Sequence, residues 1–313
     1  MVINLKRESN EIDNVKLYAN LHTHSTHTDG GYAPKEIVRA AKIEGYGAVA
    51  VTDHDAATGY PELKAACEKE GLECIFGVEF SAPSALLADK KMMEATFHIV
   101  GFDFDPEYPT MKKYLEDMSV CETEQTHVLF DRGVRLGKIK GIEWEEVLEY
   151  NTGITWLCNN HLWRAMLAKG LVTPSDRGWF WNELFADHRY EVPPYREFKK
   201  EYEIIQLIRD AGGIAIVAHP HEQLCHMDTL IEMGVEGLEV WHQLMTEEEK
   251  TQALKIAYEK GLYISGGSDH HGLCSGYYED YVNLSDCPFY APPRSYGTTE
   301  AYFNEIKNRK LNR

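Results

Sequence analysis

Four side chains that can bind a metal ion or move a proton lie within eight residues near the start of the sequence. The stretch NLHTHSTHTDGG, residues 20–31, contains His22, His24, His27 and Asp29. Imidazole nitrogens and carboxylate oxygens are common ligands in catalytic manganese, iron and zinc sites. The stretch therefore indicates either one side of a metal site or a polar loop in which these residues occur together by chance.

Further candidate ligands are distributed along the chain, and most of them follow apolar segments that predict β-strands. His22 and His24 are two residues apart, so their side chains face the same side of an extended chain. The other candidates are Asp29, His54, Glu79, His98, His219, Asp269 and His271. The carboxyl ends of parallel strands meet at one rim of a barrel, and we expect the ligands to converge there. His98 opens the segment HIVGF, so it fits only if that strand begins elsewhere or runs the other way.

The segments between these residues predict an α/β fold. Strand-like and helix-like segments alternate over residues 17–105, and the alternation returns from residue 202. This order predicts a parallel sheet covered by helices, in a barrel-like core. Residues 111–200 are instead helix-rich, polar and aromatic, and they predict a helical insertion that caps the core. The predicted domains are a core over 1–110 and 201–285, the insertion over 111–200, and a C-terminal extension over 286–313 that packs on the barrel.

Composition limits the class of protein. The chain has 313 residues, of which 43% are hydrophobic, enough for one large domain or two modest ones. The formal net charge of −18 repels phosphate backbones, so we expect no long nucleic acid as a partner. No apolar run reaches the roughly 20 residues of a membrane helix, and we expect no membrane partner. Seven scattered cysteines without a C-x-x-C pair, and an N-terminal stretch without a signal-peptide core, predict a cytoplasmic protein with reduced thiols.

The number and type of the candidate ligands predict a cluster of metal ions. Nine candidates are more than one ion requires, so we expect two or three divalent ions of Mn, Fe or Zn, bridged by a carboxylate. His27, His221 and His270 flank candidate ligands, and surface or supporting roles are expected for them. The remaining histidines are expected to pack or lie at the surface: His127, His188, His226 and His242.

Six segments together resemble one known family. They are HTHSTHTDG, VAVTDHD, GVEFS, HIVGF, AIVAHP and GGSDHHG, and they cover most of residues 18–105 and 203–275. In this order they resemble the PHP family (polymerase and histidinol phosphatase) of metal-dependent phosphoesterases. The resemblance implies a distorted (β/α)7 barrel, similar to a TIM barrel, with a trinuclear metal site at the C-terminal rim and a mainly helical insertion.

The resemblance also implies how the ligands are divided. The first metal would take His22, His24, Glu79 and Asp269. The second would take Asp29, His54 and His271, and the third would take Glu79, His98 and His219. His54, Asp269 and His271 would also be catalytic. The implied reaction is hydrolysis of a nucleotide, sugar phosphate or cyclic phosphate by a metal-bridging hydroxide, which would release inorganic phosphate from a monoester.

The predicted insertion departs from the pattern of the family branch in which an aspartate stands at position 29. That branch carries an Arg-x-His motif, whereas this chain reads NNHLWRAM, with Asn159 in place of the arginine. His161 is still predicted to contact the substrate and to protonate the leaving oxygen. Arg164 is predicted to bind the substrate in place of the missing arginines, and Arg132 and Arg135 are alternatives. The tryptophans of the insertion could stack on a base, but core packing is the expectation for them.

Three alternative functions are consistent with the sequence. An exonuclease could trim short oligonucleotides from the 3′ or 5′ end at the same centre. An amidohydrolase, which also opens with an H-x-H motif, would cleave C–N bonds instead. A metal-binding protein without activity is the third alternative, although all nine candidate ligands are present.

Overall fold

The structure is a computed structural model that describes residues 15–87, 95–185, 198–272 and 295–309. His188, Cys274 and Cys287 lie outside these residues, as does part of the predicted C-terminal extension. The described strands are β1 (Ala19–Asn20), β2 (Ala48–Val49), β3 (Glu73–Cys74), β4 (Gly77–Pro83), β5 (Thr96–Phe102), β6 (Ile214–Val217), β7 (Gly237–His242) and β8 (Tyr263–Gly267).

Ten α-helices lie in the described residues. They are α1 (Pro34–Glu44), α2 (Tyr60–Glu70), α3 (Pro109–Arg135), α4 (Trp144–Tyr150), α5 (Asn159–Ala168), α6 (Arg177–Phe180), α7 (Glu201–Asp210), α8 (Met227–Met233), α9 (Glu247–Lys260) and α10 (Glu300–Lys307). Helix α1 shows why the elements begin and end where they do. Pro34 occupies its first turn, where a missing N–H costs nothing, and Gly45 ends it with a left-handed φ of 81°. No helix in these parts of the chain is long and apolar enough to cross a membrane, and the cytoplasmic location stays a prediction.

The strands form two sheets. Strands β1, β2 and β3 pair in parallel, and a second sheet has the order β4-β5-β6-β7-β8. The predicted α/β class is confirmed, whereas the described strands do not form one closed barrel. Hydrogen bonds nevertheless join the two sheets at both sides, from Leu21 N to Gly266 O over 3.1 Å and from Glu79 N to Thr52 O over 3.2 Å.

Strand β5 corrects the expectation of an all-parallel core. It pairs antiparallel with β4 and with β6, and the pairing with β6 runs from Ile99↔Val217 to Phe102↔Ile214. The start of β5 therefore lies beside the end of β6, and the Ala218 amide donates to the His98 carbonyl over 2.9 Å. This direction explains why His98, near the start of its strand, lies at the same rim as the ligands that follow β6.

The apolar side chains of the sheets and those of the helix-rich segment up to residue 185 form separate clusters. Ile204 and Ile208 of α7 are fully buried with the apolar side chains of β4 and β5. Between α3 and residue 185, a second cluster includes Trp163 and Phe180, whose ring centroids are 4.9 Å apart. These two aromatic residues are therefore packed as the core alternative predicted, whereas Trp179 and Trp181 are each 38% exposed.

The C-terminal segment is attached to the core. Phe303 and Ile306 of α10 are fully buried in the cluster that includes β1 and β6. Arg309, only 2% exposed, donates to Asp103 Oδ2 over 2.6 Å and to the Gly212 carbonyl over 2.7 Å. A buried guanidinium is stable only with such partners, so this segment is held at the end of β5.

Candidate metal centre

Four predicted ligands form a first ligand group, which consists of His22, His24, Glu79 and Asp269. The Nε2 atoms of His22 and His24 lie 3.3 and 3.2 Å from Glu79 Oε2. The same two nitrogens lie 3.4 and 3.1 Å from Asp269 Oδ1, and 3.2 Å from each other. Four donor atoms thus converge on one point, as a divalent ion requires.

A second ligand group consists of Asp29, His54 and His271, with His24 at its edge. Asp29 Oδ2 lies 3.3 Å from His271 Nε2 and 3.7 Å from His54 Nε2. Burial lowers the pKa of His54 to about 3, so its ring is neutral and keeps a lone pair for a metal. The three predicted ligands of the second metal therefore lie together.

Glu79 joins the first group to a third ligand group, which consists of Glu79, His98 and His219. Glu79 Oε1 lies 2.9 Å from His98 Nδ1 and 3.2 Å from His219 Nε2, while its Oε2 faces the first group. One carboxylate thus presents an oxygen to each of two groups, as a bridging ligand does. The structure brings all nine predicted ligands into these three groups.

The backbone is strained where it delivers the ligands. His219 and Asp269 have φ values of 29° and 51°, a region that residues other than glycine rarely adopt. Close approach of the backbone matters as well: a Cβ atom on Gly267 would lie 2.3 Å from the His22 amide nitrogen. These conformations are unfavourable for residues other than glycine, and they occur just past the ends of β6 and β8. There they direct the side chains of His219 and Asp269 into the centre.

Hydrogen bonding tests whether metal ions fit this centre. His24 Nδ1 and His54 Nδ1 are buried and make no hydrogen bond within the described residues, and the buried Glu79 Oε2 faces the imidazole nitrogens of His22 and His24. Buried polar atoms without partners are costly, and native proteins satisfy most of them. The converging lone pairs of imidazoles and carboxylates supply the chemistry that divalent ions need, so the residues fit the metals that the sequence predicts.

The imidazoles and carboxylates of the first group shift one another's pKa. Burial lowers the pKa of His22 and His24, but the facing carboxylates outweigh it and raise the pKa of His22 well above its ordinary value and that of His24 to about 10. Burial raises the pKa of Glu79 and Asp269, but the imidazoles hold both well below the ordinary range. Protons on the histidines thus balance carboxylates that a metal would otherwise neutralise.

Two residues at the centre were missed by the sequence analysis. Glu239 is fully buried in β7 and accepts from His22 Nδ1 over 3.0 Å and from the His219 amide over 2.8 Å. His242, for which packing or surface exposure was expected, ends β7 with its Nε2 3.7 Å from Asp269 Oδ2. A glutamate inside the apolar segment GLEVWH was the signal that could have found this site.

Glu239 and His242 form a fourth possible ligand group with His22. The hydrogen bond to Glu239 occupies His22 Nδ1 and leaves Nε2 free for the first group. A carboxylate that accepts from one ring nitrogen fixes the orientation and tautomer of a metal-binding histidine. We therefore interpret Glu239 as a supporting residue of the first group.

A Glu239→Gln variant is expected to bind metal about 10- to 100-fold more weakly, because an amide accepts more weakly from His22 than a carboxylate does. The measurement is a metal titration of the metal-free chain followed by calorimetry. A Glu259→Gln variant, which changes a glutamate of an exposed pair with Lys255, is the control and should bind as the unchanged chain does. Equal affinities in all three proteins would contradict the role of Glu239.

The structure corrects the roles expected for His161 and Arg164. His161 is 1% exposed, its Nδ1 accepts from the Cys158 amide over 3.0 Å, and its Nε2 donates to the Thr26 carbonyl over 3.0 Å. Burial lowers the pKa of His161 to about 3. Near neutral pH the ring is therefore the neutral imidazole, its one proton is donated to Thr26, and His161 is not placed to protonate a leaving group. Arg164 likewise donates to the Gly30 carbonyl over 2.8 Å.

The other histidines of the motifs lie outside the ligand groups. His27 contacts Thr58 Oγ1 over 3.0 Å at the surface. His270 stacks on Tyr32, with ring centroids 5.8 Å apart. Trp156 of the insertion stacks on His54 at a centroid distance of 6.2 Å, so one aromatic residue does lie beside the second group.

Comparisons with known proteins agree with this geometry. Residues 20–161 match the model of the PHP domain. The chain is 29% identical to a 5′-3′ exoribonuclease of Haemophilus influenzae, over 84% of this chain and 93% of that protein. It is 25% identical to a phosphoribosyl 1,2-cyclic phosphate 1,2-diphosphodiesterase of Eggerthella lenta, over 80% and 93% of the two chains. A candidate metal-dependent phosphoesterase of Bifidobacterium adolescentis has a similar solved structure, with a TM-score of 0.69, 25% identity and coverage of 96% and 99%.

Proposed function

We propose that this protein is a metal-dependent phosphoesterase that hydrolyses a small phosphorylated substrate, since residues 20–161 match the model of the PHP domain. The observation that carries the proposal is the convergence of nine side chains into three groups that share Glu79. The relative from Eggerthella lenta acts on a cyclic phosphate of ribose, which is a substrate of this class.

The ligand groups would hold two or three divalent ions, and we propose Mn, Fe or Zn from the mixture of imidazole and carboxylate. Such ions lower the pKa of bound water and offset the charge of phosphoryl oxygens. The residues of the chain orient the ligands. Glu79 contributes one oxygen to the first group and one to the third, and Glu239 fixes the orientation of the His22 ring. Three divalent ions would outweigh the charge of the four carboxylates Asp29, Glu79, Glu239 and Asp269, whereas two would balance it, so a fully loaded centre would attract anions within an acidic protein.

The division of roles among the ligands is also part of the proposal. Asp269 would bind the first metal, and His54 and His271 the second, next to the reacting phosphoryl group. We propose that these three residues are the catalytic ligands, because the first and second groups meet where His271 Nδ1 lies 3.5 Å from Asp269 Oδ1. His161 and Arg164 would support the centre from outside, as their hydrogen bonds indicate.

A second candidate function is 5′-3′ removal of nucleotides from a short RNA. It is favoured by the similarity to the exoribonuclease of Haemophilus influenzae, which extends over 93% of that protein. The net charge of −18 disfavours binding along a long strand. Only the end of a short oligonucleotide would then need to reach the ligand groups.

We further propose that the two sheets form one distorted barrel around this centre. The support is a pair of hydrogen bonds between the sheets: Leu21 N, next to the edge strand β1, donates to Gly266 O, and Glu79 N donates to Thr52 O, just past the central strand β2. The division into a core over 1–110 and 201–285, an insertion over 111–200 and an extension over 286–313 completes the proposal. The separate apolar cluster between α3 and residue 185 supports it.

The test is a phosphate-release screen of the Mn²⁺-loaded protein. The substrates are mononucleotides, nucleoside bisphosphates, sugar phosphates and cyclic phosphates, the last with an added phosphatase to reveal ring opening. A labelled 5′-phosphorylated oligoribonucleotide is scored in parallel for shortening. Turnover of small phosphates supports the main proposal, and shortening alone supports the second candidate. If neither occurs in a protein that holds its metals, while an amide or lactone is cleaved, both proposals are wrong.

A further inference from the structure

Helix α5 of the insertion lies against the loop that carries Asp29. We call residues 25–31 the ligand loop. Three side chains of α5 donate hydrogen bonds to its carbonyl groups, from His161 Nε2 to Thr26 over 3.0 Å, from Asn160 Nδ2 to Asp29 over 2.7 Å, and from Arg164 Nη1 to Gly30 over 2.8 Å. All three acceptors are main-chain oxygens. These contacts therefore depend on the backbone conformation of the loop and not on its side chains.

The opposite side of the ligand loop is held by the core. Asp53, 1% exposed, accepts from the Ser25 amide over 2.7 Å and from Thr28 Oγ1 over 2.8 Å. The Gly31 amide donates to the His271 carbonyl over 2.7 Å. The Ser25 and Gly31 amides thus bond to the core, the carbonyl groups of Thr26, Asp29 and Gly30 bond to α5, and the Asp29 carboxylate lies between them, facing the second ligand group.

The donors on α5 are themselves fixed. Arg177 Nη2 donates to Asn160 Oδ1 over 2.5 Å, which turns the amide NH₂ of Asn160 toward Asp29. The Cys158 amide donates to His161 Nδ1, which leaves the proton of that ring on Nε2. Each donor therefore has one available direction, and it points at the ligand loop.

We propose that α5 is a clamp that positions Asp29, and that Asn160, His161 and Arg164 are positioning residues for the second metal. The proposal rests on the proposed function, since it assumes that the second group binds a metal. A loop carbonyl that loses its donor must be satisfied by water, and the loop then gains conformations in which Asp29 is displaced. The insertion would thus control occupancy of the second site without contributing a ligand.

The sharpest variant is Asn160→Asp. It keeps the size of the side chain and its pairing with Arg177, but places an oxygen against the Asp29 carbonyl in place of an N–H donor. Arg164→Lys is a second variant, which keeps the charge but not the planar guanidinium that reaches Gly30 and, over 3.4 Å, Thr28. The control is Lys169→Ala, which removes a bond from the end of α5 to Glu146 within the insertion.

The readout is Mn²⁺ binding at equilibrium, measured by titration and by elemental analysis of the dialysed protein. We expect Asn160→Asp and Arg164→Lys to weaken one Mn²⁺ site, that of the second group, about 10- to 100-fold, with the other sites and the control unchanged. Circular dichroism verifies that each variant is folded. A higher KM with unaltered Mn²⁺ binding would overturn the proposal, because it would make these residues substrate contacts.

The outcomes separate this proposal from the proposed function. If the unchanged protein binds Mn²⁺ but turns over no phosphoester, the proposed function is wrong. The Mn²⁺ titration of the variants still tests whether α5 positions Asp29. If the unchanged protein is active and both variants keep full Mn²⁺ affinity, the clamp is wrong and the function stands. A loss of all sites in Asn160→Asp would also overturn the clamp, because its effect should be confined to the second group.

Discussion

A Glu79→Gln variant is expected to lose phosphate release by about 10³-fold or more, since several kcal/mol of metal-derived stabilisation depend on this one carboxylate. Its Oε2 faces His22 and His24, and its Oε1 faces His98 and His219. Glutamine keeps the volume of the side chain but loses its negative charge and one of its two acceptor oxygens. Steady-state phosphate release at saturating Mn²⁺ is the measurement.

Metal content distinguishes this effect from a loss of fold. The variant should bind fewer Mn²⁺ ions than the unchanged chain, because Glu79 belongs to the first and third groups. The Glu259→Gln variant again serves as the control, and its metal content and its activity should equal those of the unchanged chain. Near-normal turnover by Glu79→Gln would show that the assignment of the ligand groups is wrong.

Removal of the metal ions by a chelator is expected to abolish phosphate release and to lower the stability of the fold. A ligand present at 1,000 times its Kd stabilises the folded state by about 4 kcal/mol, and this contribution disappears with the metal. Activity should return when Mn²⁺ is added back. Phosphate release and thermal unfolding before and after chelation are the measurements.

Reloading should depend on pH in a definite direction. In the metal-free chain the pKa of His24 is raised to about 10, so this ring holds a proton at neutral pH that the metal must displace. A group with a raised pKa loses its proton as pH increases, so Mn²⁺ affinity should increase from pH 6 toward pH 10. Calorimetry in buffers with different ionisation enthalpies should detect proton release. Binding without proton release would contradict this account of the first group.

The sequence singled out nine side chains that the fold brings together, because their signal is local. His22, Asp29 and Asp269 each belong to a short motif at the end of an apolar segment, and the order of the motifs indicated the family. The direction of β5 could not be predicted, because the residues of a strand do not encode which neighbour it will pair with. His98 was therefore the one ligand whose position remained open until the pairing was known.

The roles of the insertion could not be predicted for a different reason. His161 and Arg164 donate to main-chain carbonyl groups. Every residue has such a group, so the sequence does not show which of them accepts a hydrogen bond. A histidine and an arginine near a phosphate centre were therefore interpreted as substrate contacts. Glu239 was missed because its partner, His22, is more than 200 positions away, and only the pairing of distant strands brings the two together.

The antiparallel pairing of β5 with β6 has a consequence for how this chain can change. Phe102 and Ile214 are opposite one another, so residues 103–213 stand where a hairpin of a few residues could close the same two strands. Each doubling of such a connection costs only about 0.6 kcal/mol in closure entropy, so we expect the insertion over 111–200 to be exchangeable for another module, provided that α7, which packs in the core, is kept. A chimera that received a different module here would keep the register of its strands, but it would need a new source of the donors that hold the ligand loop.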